Sequence, residues 1–348
     1  MDAAGTRTTL IVIFGGKSAE HDVSCVTAAH VTRAVDSDAF DTVVLAIDRD
    51  GRWHRPPVDD KSDALVADGP AASPDDIIRL AASGPVVVVP LVHGPHGEDG
   101  TLQGLCEVIG VPYVGSGVLA SAMAMDKGVA KTVFESAGLP QARHVVARID
   151  SIDDALLDSV TALGFPVFVK PANMGSSVGV SKAADLGALH EAIELAARYD
   201  EWIVVEEAIV GREVEVAVIG NHAPRASLPG EIRPGRELYD YADKYVTDGA
   251  ALTIPADLPQ ELVHEVRTLA IRAYEALRCE GMARVDFFYE ENGRGFLLNE
   301  INTIPGFTPI SMYPKLWEAS GLPYTQLITE LVEHALERHQ RRSRRATR

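Results

Sequence analysis

The sequence predicts a mixed architecture: an open parallel sheet domain of α/β type at the N-terminus, followed by two α+β domains. Three observations carry this. Short apolar runs alternate with helical patterns in the first third, which is the βα rhythm of a parallel sheet. Two β-rich segments flank a loop of Gly, Ser and Asn in "GFPVFVKPANMGSSVGVSK". Near the C-terminus, "GMARVDFFYE" and "GRGFLLNEIN" read as paired strands around the turn "ENGRG".

In order, "TLIVIFGG" is a strand, Ser24 to Val35 a helix, "DTVVLAID" a strand, "PVVVVPLVHG" a strand and Leu102 to Ile109 a helix. The Pro/Asp/Ala/Ser-rich stretch from Arg55 to Asp76 reads as a surface insertion. A boundary is placed near Val118, so the first domain covers 1–118. A helix starting near Asp126 ends at Gly138 and Pro140. It leads into the Gly/Ser hairpin, whose tip is expected to be mobile, then a helix from Leu186 to Tyr199 and the strand "EWIVVEE". These make a central domain over 119–210. The third domain, 211–340, opens on "REVEVAVIG", which alternates charged and apolar residues as a half-exposed antiparallel strand does. It continues through a helix from about Leu258 to Leu277, the two paired strands and a last helix from Tyr324 to about His339. Residues 341–348 form a basic tail, and "RHQRRSRRATR" as a whole reads as a solvated, fraying helix end.

Composition narrows the function classes. The 348 residues are 46% hydrophobic and 24% charged, as in a soluble globular chain. A net charge of -18 argues against a nucleic-acid surface. The longest apolar runs, Leu10 to Phe14 and Val86 to Val92, are too short to span a bilayer, and the first has no signal-peptide pattern. A cytoplasmic protein with no membrane partner is expected. Cys25, Cys106 and Cys279 lie far apart with no CxxC pair, fitting neither a disulfide framework nor a zinc site.

The chemistry-bearing residues fall on strands and loops. Residues two apart share a strand face, so "ARVDFF" presents Arg284 with Asp286, and "LLNEIN" presents Glu300 with Asn302. If the two strands pair, one face holds a cation, two carboxylates and an amide. Such a set is either an arginine-carboxylate network or an oxygen-donor site for Mg²⁺ that also holds substrate phosphates. The loop after Lys170 offers backbone N–H groups to phosphate oxygens, and Lys127, Lys170 and Lys244 at element ends could neutralise a polyphosphate. No Walker A sequence occurs, and the Gly15-Gly16 turn never completes GxGxxG.

Seven blocks stand in order between Gly15 and Pro314: "GGKSAEHDVS", "HGPHGEDGTLQG", "VGSGVLASAMAMDK", "VKPANMGSSVGVSK", "YDYADKY", "ARVDFF" and "NEINTIPGFTPISMYP". In sequence and spacing the chain resembles the D-alanine-D-alanine ligases, members of the ATP-grasp superfamily. The resemblance covers nearly the whole chain. It implies an ATP-grasp fold whose second and third domains clasp ATP, and ligation of two D-alanines through a D-alanyl phosphate for peptidoglycan synthesis. It also implies two Mg²⁺ ions, replaceable by Mn²⁺, and a homodimer.

Carried over position by position, the resemblance makes Asp286, Glu300 and Asn302 the metal ligands, with Glu300 bridging. Lys127, Lys170 and Lys244 become phosphate contacts, and Ser176 and Ser177 lie in the loop that folds over ATP. Glu206 is assigned to the adenine amino group, with backbone groups of Glu207 and Ile209 beside it, and Glu213 to the ribose. Glu20, linked to Ser176 and Tyr245, holds the first D-alanine's ammonium, and His93 lies near its carboxylate. Arg284 and the Gly306 N–H form the oxyanion site, and Ser311 with the Met312 N–H anchors the second substrate's carboxylate. The chain departs from the family pattern at Asp22, Asn173 and Met174, none assigned to chemistry. A same-class alternative joins D-alanine to D-lactate or D-serine, with Tyr245 as the discriminating residue. A non-catalytic ATP-binding protein and a nicotinamide dehydrogenase are the readings from other classes, the latter resting only on Gly15-Gly16.

Overall fold

The computed structural model describes residues 7–58, 61–233 and 251–344. Its strands form three sheets, in the α/β and α+β arrangement the sequence predicts. The first joins β1 (Thr8–Gly15), β2 (Phe40–Ile47), β3 (Trp53–His54) and β4 (Val86–Pro90) in the order β3-β2-β1-β4, with β1 parallel to both β2 and β4. Alternation explains why Leu10 to Phe14 of β1 and the whole of β4 are apolar. Leu10, Val12 and Phe14 enter one core and Ile11 and Ile13 the other, so no residue of this strand stretch faces water. One of those cores also holds Trp317, Leu327, Leu331 and Ala335, so the first sheet and the C-terminal helix (Tyr324–Ser343) share one interior.

The second sheet joins β5 (His144–Arg148), β6 (Val167–Pro171), β7 (Ser181–Ala183) and β8 (Trp202–Glu207) in the antiparallel order β5-β8-β6-β7. The Gly/Ser segment is the connection of the β6-β7 hairpin, as read from sequence. Val167, Val169, Ile203 and Val205 bury one face under helices Asp154–Thr161 and Leu186–Ala196. The opposite face carries Lys170 and Glu206.

The third sheet holds β9 (Arg212–Gly220), β10 (Arg225–Ala226), β11 (Gly230–Arg233), β12 (Ala251–Thr253), β13 (Gly281–Glu290) and β14 (Gly295–Asn302). The β13-β14 pairing sets Asp286 opposite Glu300 and Arg284 opposite Asn302. Helix Gln260–Ala276 covers Val214, Val216 and Val218 with Val266, Ala270 and Tyr274. The half-exposed reading of "REVEVAVIG" is corrected here: β9 lies between β11 and β13, and from Val214 onward it is buried. Its charged positions face an internal cleft rather than solvent, which is why the alternation resembled a surface strand.

Two further readings change. The 55–76 stretch is not merely a surface insertion, because Leu65 is buried and its N–H bonds to the Cys25 carbonyl at 3.1 Å, folding the stretch over helix His21–Ala34. The arginine-rich end is helical to Ser343, and its first arginine is docked rather than solvated, while Arg342, Ser343 and Arg344 are exposed. Arg338 is buried, stacks 4.2 Å from the Tyr113 ring centroid, and donates to the carbonyls of Tyr113 and Gly115. Arg341 and Arg342 pair with Glu280, and Arg342 also with Glu107. The three cysteines are buried free thiols, each pushed by burial to a pKa of about 11 or 12. We propose divisions after 118 and 210, since the latter falls between strands of different sheets and the former where helix Val118–Met125 begins.

Candidate active site

The second and third sheets enclose a cleft with two connected cavities, and Lys127, Ser176, Glu213 and Glu300 line both. The larger, about 720 Å³, is also walled by Lys170, Ser177, Ile209 and Phe168. The smaller, about 370 Å³, is walled by Glu20, His93, Arg284, Asp286, Asn302, Gly306, Ser311 and Met312. Fifteen of the residues singled out from sequence thus converge on one cleft. Glu206 and Glu207 sit behind its walls, and Lys244 and Tyr245 lie outside the described residues.

On the face expected from sequence to ligate metal, Arg284 donates from Nε and Nη2 to both oxygens of Asp286, at 2.8 and 2.7 Å, and its Nε is 2.9 Å from Glu215. Asn302 Nδ2 donates to Asp286 at 3.0 Å, and Glu300 lies 3.9 Å from Lys127 Nζ. Among the described residues no cluster of three His, Cys, Asp or Glu could hold a metal. Two carboxylates and one amide oxygen fit a hard divalent cation only if water or phosphate oxygens complete its shell, which is how Mg²⁺ is usually bound.

The loop after β6 is anchored at three points. Lys127 Nζ donates to Met174 O at 2.6 Å, Asn173 N donates to Asp200 at 2.7 Å, and the Ser176 hydroxyl donates to Glu20. Ser176 and Ser177 have φ of 49° and 59°, a left-handed conformation that costs a non-glycine residue of order 1 kcal/mol. Glu20 stands at the start of helix His21–Ala34, its N–H held by Ser18 Oγ at 3.2 Å. Gly94 has φ +74°, and a Cβ there would lie 2.6 Å from Glu20 Oε2, so only glycine leaves that carboxylate its place.

His93 is buried between Thr27 Oγ1 (3.2 Å from Nε2) and Glu98 (3.4 Å from Nδ1). Burial alone would lower its pKa, yet the Glu98 hydrogen bond and charge raise it. Near the far end, Ser311 Oγ accepts from Thr308 N at 3.0 Å and caps the turn before helix Met312–Ala319. A Cβ on residue 306 would approach that oxygen to 2.7 Å, which excludes larger residues.

Glu206 accepts from Lys170 at 3.1 Å and pairs with Lys131 at 3.3 Å. Burial would raise its pKa, but the two ammoniums overcome this and bring it to about 2. The Glu207 carboxylate is engaged by Arg143 and Arg294, and its N–H donates to the Arg143 carbonyl at 3.0 Å. Sequence reasoning missed Lys131, Glu98, Glu215 and Asn299. Lys131 follows Lys127 by one helical turn, a spacing that could have exposed it. Asn299 reaches Lys170 at 3.4 Å because the β13-β14 register shifts after Asp286, an irregularity that strict alternation cannot foresee. The Gly15-Gly16 turn is sealed: Gly15 N–H bonds Ser24 Oγ at 2.7 Å and Gly16 N–H bonds Ile47 O at 2.7 Å, so neither is offered to a dinucleotide.

The model of the D-ala D-ala ligase N-terminus matches residues 9–116, and that of the C-terminus matches residues 133–333. A D-alanine--D-alanine ligase of Solibacter usitatus is 48% identical over 336 residues, covering 97% of this chain and 98% of that protein. A solved D-alanine-D-alanine ligase from Coxiella burnetii superposes with a TM-score of 0.83 at 35% identity, covering 97% and 96% of the two chains. The VanG D-Ala:D-Ser ligase from Enterococcus faecalis superposes with 0.82 at 33% identity, covering 95% and 100%. With both family models matched in order and relatives aligned nearly end to end, the chain belongs to the D-alanine-D-alanine ligase family.

Proposed function

We propose that this protein joins two D-alanine molecules into D-alanyl-D-alanine at the expense of ATP, through a D-alanyl phosphate, supplying a peptidoglycan precursor. The observation that carries the reading is one cleft with two joined cavities, the larger of nucleotide size and the smaller of amino-acid size, meeting at Lys127 and Glu300. A carboxylate does not acylate an amine in water, so its oxygen must first become a good leaving group, and phosphorylation by ATP does this. The phosphoryl group passes from the larger cavity to the smaller at that junction.

In this reading Glu20 holds the first D-alanine's ammonium with Ser176 and the loop closed over it, and His93 lies beside its carboxylate. Lys127 and Lys170 hold the phosphates, Ser177 covers them, and Glu213 meets the ribose. The base lies along Ile209 and Glu207, with its amino group toward Glu206. Asp286, Glu300 and Asn302 would hold two Mg²⁺ ions, or Mn²⁺ in their place, which when bound would supply charge neutralisation for the transferring phosphoryl group. Attack by the second amine builds negative charge on the former carboxylate oxygen. In this reading Arg284 and the Gly306 N–H take that charge, a type of contact worth about 3 to 4 kcal/mol. Ser311 and the Met312 N–H hold the second carboxylate.

We place the reaction in the cytoplasm, where ATP is available. The protein acts as a homodimer in this proposal, with Val108, Val118 and Leu119 on the adjoining helices Thr101–Ile109 and Val118–Met125 as its exposed apolar contact. Among the described residues no helix is long and apolar enough to cross a membrane.

Coupled ADP release tests the function, with D-alanine, L-alanine, D-serine and D-lactate offered alone and against D-alanine. Release that needs D-alanine and yields the dipeptide is expected. Preferred use of D-serine or D-lactate as acceptor would replace the reading with that of the related ligases.

A further inference from the structure

Lys131 is 1% exposed, on helix Lys127–Ser136 facing the second sheet. Its Nζ lies 3.3 Å from Glu206 Oε1, while Glu206 Oε2 lies 3.1 Å from Lys170 Nζ. An ammonium sealed from water is costly unless a fixed counter-charge accompanies it, and Glu206 is that charge. The two lysines differ in freedom. Lys170 lines the larger cavity in front of Glu206 and can turn toward a ligand there, which opens Glu206 to that cavity, whereas Lys131 lines neither cavity and lies on the far side of Glu206.

The geometry points to Lys131 as the permanent counter-ion of Glu206, a positioning residue that keeps this carboxylate anionic and acceptor-only when Lys170 leaves it for a nucleotide phosphate. The inference rests on the reading that Glu206 meets the amino group of the base. A carboxylate with no proton accepts from a 6-amino purine and repels a 6-oxo purine, whose oxygen is itself an acceptor. Lys131 therefore sets base selectivity without touching the base.

The test compares ATP with inosine triphosphate, its 6-oxo counterpart, in the full-length protein with Mg²⁺ and D-alanine. Lys131→Met, Glu206→Gln and the double variant are measured alongside the unaltered chain. Lys131→Met should raise KM for ATP about tenfold or more, leave kcat within about threefold, and cut the ATP preference in kcat/KM about tenfold. Glu206→Gln should do the same, since its amide both donates and accepts, and the double variant should match Glu206→Gln within about twofold.

A folded Lys131→Met with unchanged KM and unchanged ATP preference would overturn the proposal, as would loss of thermal stability alone. Should Lys131→Met fail to fold, the double variant, which buries neither charge, still decides. Equality with Glu206→Gln supports the proposal, and a further loss beyond it shows that Lys131 acts through another group. If Glu206→Gln itself leaves the ATP preference intact, the base-contact reading falls, a failure distinct from that of Lys131.

Discussion

Glu300 stands where the two cavities meet, opposite Asp286 on the neighbouring strand and 3.9 Å from Lys127. Replacing it by glutamine keeps its shape and removes one negative charge. Glu300→Gln is expected to fold normally and to lose at least about 100-fold in turnover at low millimolar Mg²⁺; circular dichroism and ADP release at several Mg²⁺ concentrations check both halves. Glu206 gives a second expectation at this scale. Its ordinary value of 4.5 is brought to about 2 in the folded protein, so its pairing stabilises fully above about pH 4.5 and is lost as pH falls toward 2. Burial lowers the Lys131 pKa, so part of that gain is returned by its partner. Acid titration followed by tryptophan fluorescence should show the unaltered protein losing stability through that interval and Glu206→Gln losing less. Asp286, Glu300 and Asn302 were legible one by one, because strand alternation puts i and i+2 on one face. Glu215 and Asn299 were not, since their partners come from another strand or from a shifted register, and Glu98 was not because the loop that folds it back onto His93 and Gly94 follows no periodicity.

At the scale of elements, the loop between β6 and β7 is the mobile candidate. Its glycines and serines announced a hairpin tip, but not the contacts that hold it. Ser176 and Ser177 adopt left-handed φ while Glu20 and Lys127 hold the loop in place, so removing an anchor should let it relax. Glu20→Ala is expected to be cleaved within 173–179 faster than the unaltered chain in limited proteolysis, and ATP with Mg²⁺ and D-alanine should slow cleavage of the latter. Equal rates under all conditions would mean that the loop is not a lid. Strand and helix positions and the two hairpins were largely readable from apolar periodicity and turn residues, while the order of strands within each sheet was not. The burial of β9 was not, because alternation records which face is polar and not whether that face meets solvent or a cleft.

Across the whole molecule, the first and last segments share one core, and Arg338 fastens the C-terminal helix to the carbonyls of Tyr113 and Gly115. A run of arginines reads as a solvated end because sequence does not show the buried acceptors waiting for it. Arg338→Met should leave those two carbonyls without their donor and cost roughly 3 kcal/mol, read as a lower urea midpoint with unchanged slope. The same helix holds Phe307 O, next to Gly306 of the small cavity, through the Tyr324 hydroxyl at 2.8 Å, so the same variant should weaken D-alanine binding more than ATP binding. The chemistry itself is tested by isotope transfer. With D-alanine carrying ¹⁸O in its carboxylate, formation of D-alanyl phosphate and attack by the second amine place one ¹⁸O in each phosphate released alongside ADP. Phosphate without ¹⁸O, or dipeptide formed with AMP as the nucleotide product, would contradict a ligase acting through an acyl phosphate.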